Sequence, residues 1–392
     1  MKKVRLGIIG VGNMGTSHLN NIMAGKCPEI EVTAVADIEP ARLDNARAIV
    51  DKARAEHPEI PEIATFTDAM ELISSGQVDA VLVAVPHYDH PRYSIAALQA
   101  GLHVMSEKPA GVYAEQVREL IAEADKHPDL YYGLMFNQRT NPIYRKMRDI
   151  LQSGEMGQIR RSTWMCTGWY RPQAYYDSGA WRATWSGEGG GVLLNQCPHN
   201  LDLWQWICGM PSKIDAKLHF GKWHDIEVED DVTCYVEYPN GATGVFITTT
   251  ADAPGTNRFE ITGTKGTLIF EDNKLFYKQL TVDEREWCAT CEEGFKKPEC
   301  LPTVEVALEG ENTQHTGICN NIANAILGLE EVYAPAKDGI HGVHLANAMH
   351  LSSWLGESVT LPINDELFYE ELKKRIAISK PHEVHEKTEI QG

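Results

Sequence analysis

The sequence predicts an α/β protein of two domains, with a doubly wound parallel sheet first and an antiparallel sheet after it. Three observations support this fold class. A strand, a glycine-rich turn and a helix follow one another at the N-terminus, and strands then alternate with helices up to about residue 135. Alternating patterns with glycine turns occupy residues 230–280, as in antiparallel hairpins. The chain of 392 residues is also longer than one small core needs.

The first strand, turn and helix have the spacing of a dinucleotide-binding unit. VRLGIIG (4–10) is an apolar run of strand length, and the turn that follows it satisfies G-x-G-x-x-G. A helix is predicted over 16–25, and a second strand ends at Asp37, 22 positions after Gly15. In such units the glycines allow a tight turn and close approach to a pyrophosphate, and the acid binds ribose hydroxyls. The predicted dinucleotide contacts are Gly10, Gly12, Asn13, Met14, Gly15 and Asp37.

The residues after Asp37 indicate which nucleotide is bound. Ile38 and Glu39 follow it, with no arginine directly after. Two acids would repel a 2′-phosphate, so the sequence favours NAD over NADP. Arg42 is close enough in sequence to keep NADP as the less favoured alternative.

Helices and strands continue to alternate in the rest of the first domain. Helices are predicted over 41–57, 68–76, 91–101 and 115–127, and strands over 78–86, 102–109 and 130–136. Ligands of such sheets lie beyond the carboxyl ends of the strands. That rule selects Asp37, Pro86, His87, Glu107, Lys108, Asn137 and Gln138 as residues facing a binding cleft.

The second domain begins with an amphipathic helix over 141–157 and a β-rich stretch over 159–170. Residues 230–251 alternate around Pro-Asn-Gly, a strong hairpin signal, and 257–280 repeat the pattern with glycine turns. We therefore place a dinucleotide-binding domain at 1–135, a substrate-binding and oligomerisation domain at 136–380, and a polar tail at 381–392. One face of such a sheet often needs covering, which favours a homo-oligomer, a dimer or tetramer.

Composition limits the classes of partner. The net charge is −19 and the pI is about 5.2, so the surface repels nucleic acid and anionic lipid. No apolar run reaches the length of a membrane span. The nine scattered cysteines fit reduced thiols in the cytoplasm. Cys288, Cys291 and Cys300 include a C-x₂-C pair but lack a fourth close ligand, so no metal site is predicted.

The combination of GVGNMG, VAVPHYDH and AGLHVMSEKPAG resembles the Gfo/Idh/MocA oxidoreductases, which act mostly on sugars and cyclitols. Glu-Lys-Pro at 107–109 matches the first signature of that family. GGGVLLNQCPHNLD (189–202) resembles the second, whose usual form has an aspartate, three residues and then a histidine. The resemblance covers nearly the whole chain. It implies a Rossmann domain, a C-terminal α/β domain with a large, mostly antiparallel sheet, and a nicotinamide in the cleft between them.

The same resemblance assigns catalytic roles to Lys108 and His199 and puts Asn195 where aspartate is usual. A strand-end lysine can polarise a substrate hydroxyl and stabilise alkoxide character. His199 follows Pro198 in the first turn of a predicted helix, where the macrodipole disfavours imidazolium and so favours a general base. Asn195 either caps this helix or hydrogen-bonds a substrate hydroxyl. It cannot itself exchange a proton.

The segment 169–191 is rich in aromatic residues interspersed with arginines. Rings that cover C–H faces and polar groups that meet hydroxyls suit a carbohydrate, although the same segment would also serve as a packed loop. The resemblance places the Trp181-Arg182 pair near cofactor or substrate. The predicted substrate contacts are Lys108, Tyr170, Trp181, Arg182, Asn195 and His199.

Together these features predict an NAD-dependent enzyme that transfers hydride between the nicotinamide and a ring CH–OH carbon of a sugar or glycoside. C3 is our expectation for the ring position. Two alternatives use the same residues: a redox-neutral glycosidase that oxidises, eliminates the aglycone and reduces again, and a sensor that binds NAD or sugar without turnover. Net formation of NADH separates the dehydrogenase from both.

Overall fold

The computed structural model describes residues 3–381, and its contacts divide the chain into two units. Unit 1 comprises residues 1–140 and 312–343, and unit 2 comprises 141–311 and 344–392. The sequence placed a single boundary at 135–136, whereas the contacts group a later segment with the first domain. All but the first residue of the predicted polar tail (381–392) lies outside the described residues.

The elements up to residue 140 are β1 (Val4–Ile9), α1 (Asn13–Met23), β2 (Ile30–Ala36), α2 (Pro40–Glu56), β3 (Ala64–Phe66), α3 (Ala69–Ser74), β4 (Ala80–Val83), α4 (Asp89–Gln99), β5 (His103–Ser106), α5 (Ala114–Ala124), β6 (Tyr132–Leu134) and a 3₁₀ turn (Asn137–Thr140). Those that follow are α6 (Pro142–Gln152), β7 (Ile159–Cys166), α7 (Gln173–Tyr176), α8 (Pro198–Cys208), β8 (Lys213–Phe220), β9 (Glu229–Glu237), β10 (Thr243–Thr249), β11 (Asn257–Gly263), β12 (Gly266–Glu271), β13 (Lys274–Gln279), α9 (Glu284–Thr290), β14 (Val304–Glu305), α10 (Gln314–Ile326), a 3₁₀ turn (Ala336–Asp338), α11 (Gly339–Leu355), β15 (Val359–Thr360) and α12 (Asp365–Ile376).

Unit 1 contains a six-stranded parallel sheet in the order β3-β2-β1-β4-β5-β6. The predicted doubly wound sheet is confirmed. Its strands are apolar runs because helices cover both faces, and all of β4 is buried. The strand order reverses direction between β1 and β4, and ligands of such sheets bind at that switch point. The carboxyl ends of β1 and β4 therefore bound the expected site.

Helix α10 belongs to unit 1 although it lies about 180 residues after β6 in the chain. Its buried residues include Ile318 and Ile322, which join the core formed by β1, β2 and β4. Gly133 in β6 allows this contact, since a Cβ there would lie 2.4 Å from Cδ1 of Ile322. The pattern of α10 predicts a helix but does not indicate which sheet it covers.

Unit 2 is built on a nine-stranded sheet in the order β14-β13-β12-β11-β7-β10-β9-β8-β15. Strands β7 and β10 pair in parallel, and the other neighbours are antiparallel. The predicted mostly antiparallel sheet is confirmed. The hairpin expected at Pro-Asn-Gly joins β9 to β10, where Gly241 has φ +83° and its N–H bonds Tyr238 O.

Helix α8 is anchored on this sheet by a tryptophan. The Trp204 ring is 1% exposed and stacks on Phe246 with centroids 5.3 Å apart. Its Nε1–H donates to Oγ of Ser162 in β7 at 3.0 Å. Large aromatic burial with a satisfied N–H holds the helix in one position. The helix N-terminus, which carries His199, is thereby placed at a definite point over the sheet.

Within residues 3–381, no helix is long and apolar enough to cross a membrane.

Candidate active site

The glycine turn between β1 and α1 has the geometry that the motif predicts. Gly10 has φ +88°, and a Cβ there would lie 2.4 Å from Ala84 O. A Cβ at Gly15 would lie 1.9 Å from Gly10 O, so only glycine allows this packing of helix on turn. At Gly12 the nearest atom is 3.8 Å away, on the Arg42 side chain. The turn therefore has no room for a side chain at Gly10 and Gly15, whereas there is space beside Gly12, the glycine expected to face a pyrophosphate.

The first turn of α1 can bind an anion. Gly12 occupies the N-cap position and no side chain caps this helix end. Asn13 and Met14 are exposed beside it. Uncapped N–H groups at a helix N-terminus, together with the macrodipole, form a phosphate site. These residues fit a dinucleotide.

Asp37 binds the glycine turn from the end of β2. One carboxylate oxygen accepts from the N–H of Val11 at 2.9 Å, and the other accepts from the N–H of Glu39 at 3.0 Å. The exposed Arg42 side chain lies 3.5 Å from the same carboxylate. The sequence predicted a ribose acid here, and the structure adds a second role, because this carboxylate also fixes the turn.

The carboxyl end of β5 carries a buried ion pair beside Lys108. Glu107 is 4% exposed, and its Oε1 lies 2.7 Å from Nε2 of the buried His18 in α1. Burial opposes ionisation of Glu107, but His18, then Lys108 and His315, outweigh it and lower its pKa to about 2. Lys108 is half-buried. An ionised carboxylate therefore lies next to the candidate catalytic lysine.

Sequence reasoning missed His18. The available signal was its spacing, since His18 follows Gly15 by three positions and lies on the same face of α1. The glycine turn orients α1, and this face of the helix therefore places the His18 imidazole against Glu107. The sulfur of Cys319 lies 3.8 Å from the other ring nitrogen, Nδ1.

The end of β6 leads into a polar cluster that includes the predicted Asn137. Asn137 is 4% exposed, and its Nδ2 donates to Oε1 of Gln314 at 2.6 Å. Its buried Oδ1 has no hydrogen-bond partner among the described residues. His315 lies beside it, and burial lowers the pKa of that imidazole. The orphaned acceptor is a group that a bound donor would satisfy.

Pro86 and His87 follow β4, as predicted. His87 is 6% exposed, and its ring lies 5.9 Å from that of His90. His90 contacts the carbonyls of Pro109 and Val85, each at 2.7 Å. Its ring therefore joins the loop after β4 to the Glu-Lys-Pro loop after β5. The predicted residues after β4 and β5 thus lie on two loops that His90 connects.

In unit 2, α8 begins at Pro198 and ends before Gly209, close to the prediction. His199 is the second residue of the helix and is partly exposed. The capping interpretation of Asn195 is wrong, because the N-cap residue is Cys197 and no side chain caps the helix. The backbone turns between Gly191 and Cys197, which leaves Asn195 outside capping range. Its amide instead donates to the carboxylate of Glu188.

The aromatic segment contributes a second cluster in unit 2. The Arg182 guanidinium lies over the rings of Tyr175 (4.6 Å) and Trp181 (4.7 Å) and donates to the Tyr175 hydroxyl at 3.0 Å. It also lies 3.8 Å from Glu188. Tyr170 is 49% exposed and lies outside these contacts of Arg182. Of the predicted substrate residues in unit 2, Trp181, Arg182 and Asn195 are linked.

Gly191, the last glycine of the 189–191 run, and the turn after it are held by a second buried acid that sequence reasoning missed. Glu229 accepts from the N–H groups of Gly191 and Leu193 at 2.9 Å and from His350 at 2.8 Å. Burial opposes its ionisation, but His350 and these N–H groups outweigh burial and hold its pKa below the usual value. A lone glutamate at the start of a strand gives no sequence signal of this role.

The described residues 3–381 contain no group of three His, Cys, Asp or Glu side chains arranged to hold a metal ion. Cys288 and Cys300 are exposed thiols.

Two family models match the chain. The model described as "Oxidoreductase family, NAD-binding Rossmann fold" matches residues 4–133, and the model described as "GFO/IDH/MocA C-terminal domain" matches residues 144–269. The first range lies in unit 1 and the second lies in unit 2. They agree with the resemblance drawn from the two signatures.

Named relatives align over part of their length. The rhizopine catabolism protein MocA of Rhizobium meliloti is 29% identical over 210 residues, which are 53% of this chain and 58% of that protein. Inositol 2-dehydrogenase of Corynebacterium glutamicum is 31% identical over 211 residues, 53% of this chain and 55% of the relative. The chain therefore spans less than two thirds of these relatives.

Among solved structures, the WlbA dehydrogenase from Bordetella pertussis, in complex with NADH and UDP-GlcNAcA, gives a TM-score of 0.74 at 23% identity. The match covers 93% of this chain and 99% of that one. At this identity the likeness shows the fold.

Proposed function

The chain belongs to the Gfo/Idh/MocA family of NAD-binding oxidoreductases, and from that premise we propose that it oxidises a ring CH–OH group of a sugar, glycoside or cyclitol. The observation that carries the proposal is the charge arrangement at the end of β5. There an ionised, buried Glu107 lies beside Lys108 at the carboxyl edge of a sheet whose glycine turn fits a dinucleotide. When bound, NAD supplies the acceptor for hydride.

Lys108 polarises the reacting hydroxyl. Its ammonium group donates a hydrogen bond to the hydroxyl oxygen and stabilises the alkoxide character that develops as the C–H bond breaks. The paired Glu107 beside it keeps local charge balanced and limits where the lysine can lie. Since this stabilisation is needed only as charge develops, loss of the amine should lower kcat far more than it weakens NAD binding.

His199 takes the hydroxyl proton. The C–H bond gives up a hydride, the O–H bond gives up a proton to the imidazole, and the ring carbon becomes a ketone. Its place in the first turn of α8 favours a neutral ring, as a base requires. Asn195 serves as a hydrogen-bonding residue for substrate or for His199.

The substrate class follows from the residues of unit 2. Trp181 and Tyr170 expose ring surface suited to sugar C–H faces, and Arg182 offers donors to hydroxyls. The inositol dehydrogenase relative supports a cyclitol or pyranose ring. We propose a glycoside oxidised at C3 as the first substrate to test. A homo-oligomer formed through the open sheet of unit 2 is part of the same proposal.

The test is a panel of glycosides, free sugars and cyclitols incubated with NAD, read at the NADH absorbance band and by product analysis. We expect stoichiometric NADH and ketone from at least one member. Lys108→Met should abolish turnover while retaining NAD binding by calorimetry, and Lys52→Met, on the exposed side of α2, should match the wild type. Aglycone release without NADH would replace the proposal with the redox-neutral glycosidase. Sugar binding without any turnover would replace it with the sensor.

A further inference from the structure

A buried carboxylate lies beside the position where the family signature carries an acid. Glu188 is 2% exposed. Its Oε2 accepts from the N–H of Ala183 at 2.7 Å, and its Oε1 accepts from Nδ2 of Asn195. Nη1 of Arg182 is 3.8 Å from the same Oε1. The acid that is missing at position 195 is therefore present one side chain away.

The contact fixes the orientation of the Asn195 amide. A carboxylate only accepts hydrogen bonds, so Nδ2 must face Glu188 and Oδ1 must face the other way. A charged acceptor also strengthens the bond and draws electron density toward the amide oxygen. Asn195 thus presents a polarised acceptor where an aspartate would present a carboxylate oxygen.

We propose that Glu188 is a positioning residue of the active site, which acts through Asn195 to supply the acceptor that the usual aspartate supplies. This inference rests on the proposed function, and it specifies how the site works without the signature acid. Glu188 needs no contact with substrate for this role. Asn195 orients the substrate hydroxyl or His199, and Glu188 holds Asn195 in the one productive orientation.

The surroundings of Glu188 hold its side chain in place. Ala183 has φ +52°, a left-handed conformation that only glycine adopts readily, and its N–H is bonded by Glu188. Arg182 and Tyr176 are two charged or titratable side chains that face Glu188. The Arg182 side chain is itself held by the Tyr175 hydroxyl.

A charge swap tests the proposal. In Glu188→Gln, two amides face each other, Asn195 is free to turn its Nδ2 outward, and kcat should fall roughly 10- to 100-fold with little change in KM. In Asn195→Asp, two carboxylates touch, so kcat should fall and become strongly dependent on pH. In the double variant E188Q/N195D, the amide at 188 donates to the carboxylate at 195. The acceptor is restored, and kcat should recover to within a few-fold of wild type.

Glu227→Gln is the matched control. Glu227 accepts from the N–H of Trp185 in the same loop at 3.2 Å, and it also accepts from the hydroxyl of Ser379 and the N–H of Lys380. We expect the kcat of Glu227→Gln to equal that of wild type. The melting temperatures of all variants are measured as well, so that unfolding is not mistaken for lost activity.

Each outcome decides between the two proposals. If the wild type is active and E188Q has the same kcat, the role of Glu188 is overturned and the proposed function stands. The same holds if the kcat of the double variant is no higher than that of the less active single variant. If Glu188 had only a structural role, the melting temperature would differ among E188Q, N195D and the double variant while kcat stayed unchanged. A wild type that forms no NADH from any substrate would instead overturn the proposed function. If E188Q does not fold, N195D and the double variant still decide the question.

Discussion

Replacing His18 by leucine removes the partner of the buried Glu107 carboxylate. The folded-state pKa of Glu107 is lowered from 4.5 to about 2. Each pKa unit corresponds to about 1.4 kcal/mol, so the ionised Glu107 stabilises the fold at neutral pH by about 3 kcal/mol, net of the cost of its burial. His18 provides the largest favourable part. We expect His18→Leu to cost most of this value, near the lower end of the range for breaking a buried pair.

The pH dependence distinguishes this cause from lost packing. A lowered folded pKa contributes stability that is present above about pH 4.5 and lost as the pH falls toward 2. The penalty of His18→Leu should therefore be full at pH 7 and shrink as the pH falls from about 4.5 toward 2, because protonation of Glu107 removes the charge that His18 compensates. The second change Glu107→Gln should recover part of the loss at pH 7.

The assay must report on unit 1. All nine tryptophans lie in unit 2, so intrinsic fluorescence follows the wrong part of the chain. Hydrogen exchange of peptides from α1 and β5, read by mass spectrometry, gives the opening free energy directly. His57→Leu, at an exposed histidine, is the control. A penalty that is equal at pH 7 and near pH 3, or equal in the control, would refute the reasoning.

Three further predictions follow from the two units. Gly15→Ala should lower NAD affinity more than tenfold in a fluorescence titration, because its Cβ meets a carbonyl oxygen at 1.9 Å; Gly294→Ala, with open space around it, should not. Asp37→Ser should raise the ratio of NADP to NAD affinity, and an unchanged ratio would remove Asp37 from nucleotide selection. Glu229→Gln should destabilise unit 2 by about 3 kcal/mol in urea unfolding followed by tryptophan fluorescence. Since the Glu229 pKa is lowered in the fold, that loss should shrink as the pH falls below the usual range of a glutamate, and a constant loss would contradict the ion-pair explanation.

The sequence predicted the parallel sheet and its strand ends because both depend on local patterns. An apolar run followed by G-x-G-x-x-G can be recognised within a stretch of about 15 residues. Strand ends are predicted where the apolar runs stop. Asp37 and Lys108 were found in this way. The second role of Asp37 was not, since its bond to the Val11 N–H joins residues 26 positions apart.

Long-range polar pairs account for what the sequence did not show. His18 and Glu107 are 89 positions apart, and Glu229 and His350 are 121 apart. Glu188 and Asn195 are close in sequence, yet they contact each other through an irregular turn with no regular period. A helix cap was one of the two roles that the sequence left open for Asn195, because capping is the local function of asparagine before a helix. In the structure Cys197 is the N-cap residue, and the Asn195 amide bonds Glu188 instead.

The most direct test of the proposed hydride transfer uses a substrate from the panel deuterated at the oxidised ring carbon. NADH recovered after turnover should carry one deuterium per molecule by mass spectrometry, with one equivalent of ketone, and Lys108→Met should yield none. NADH without deuterium, or product formed with no labelled NADH at all, would contradict direct transfer from the ring C–H bond to the nicotinamide.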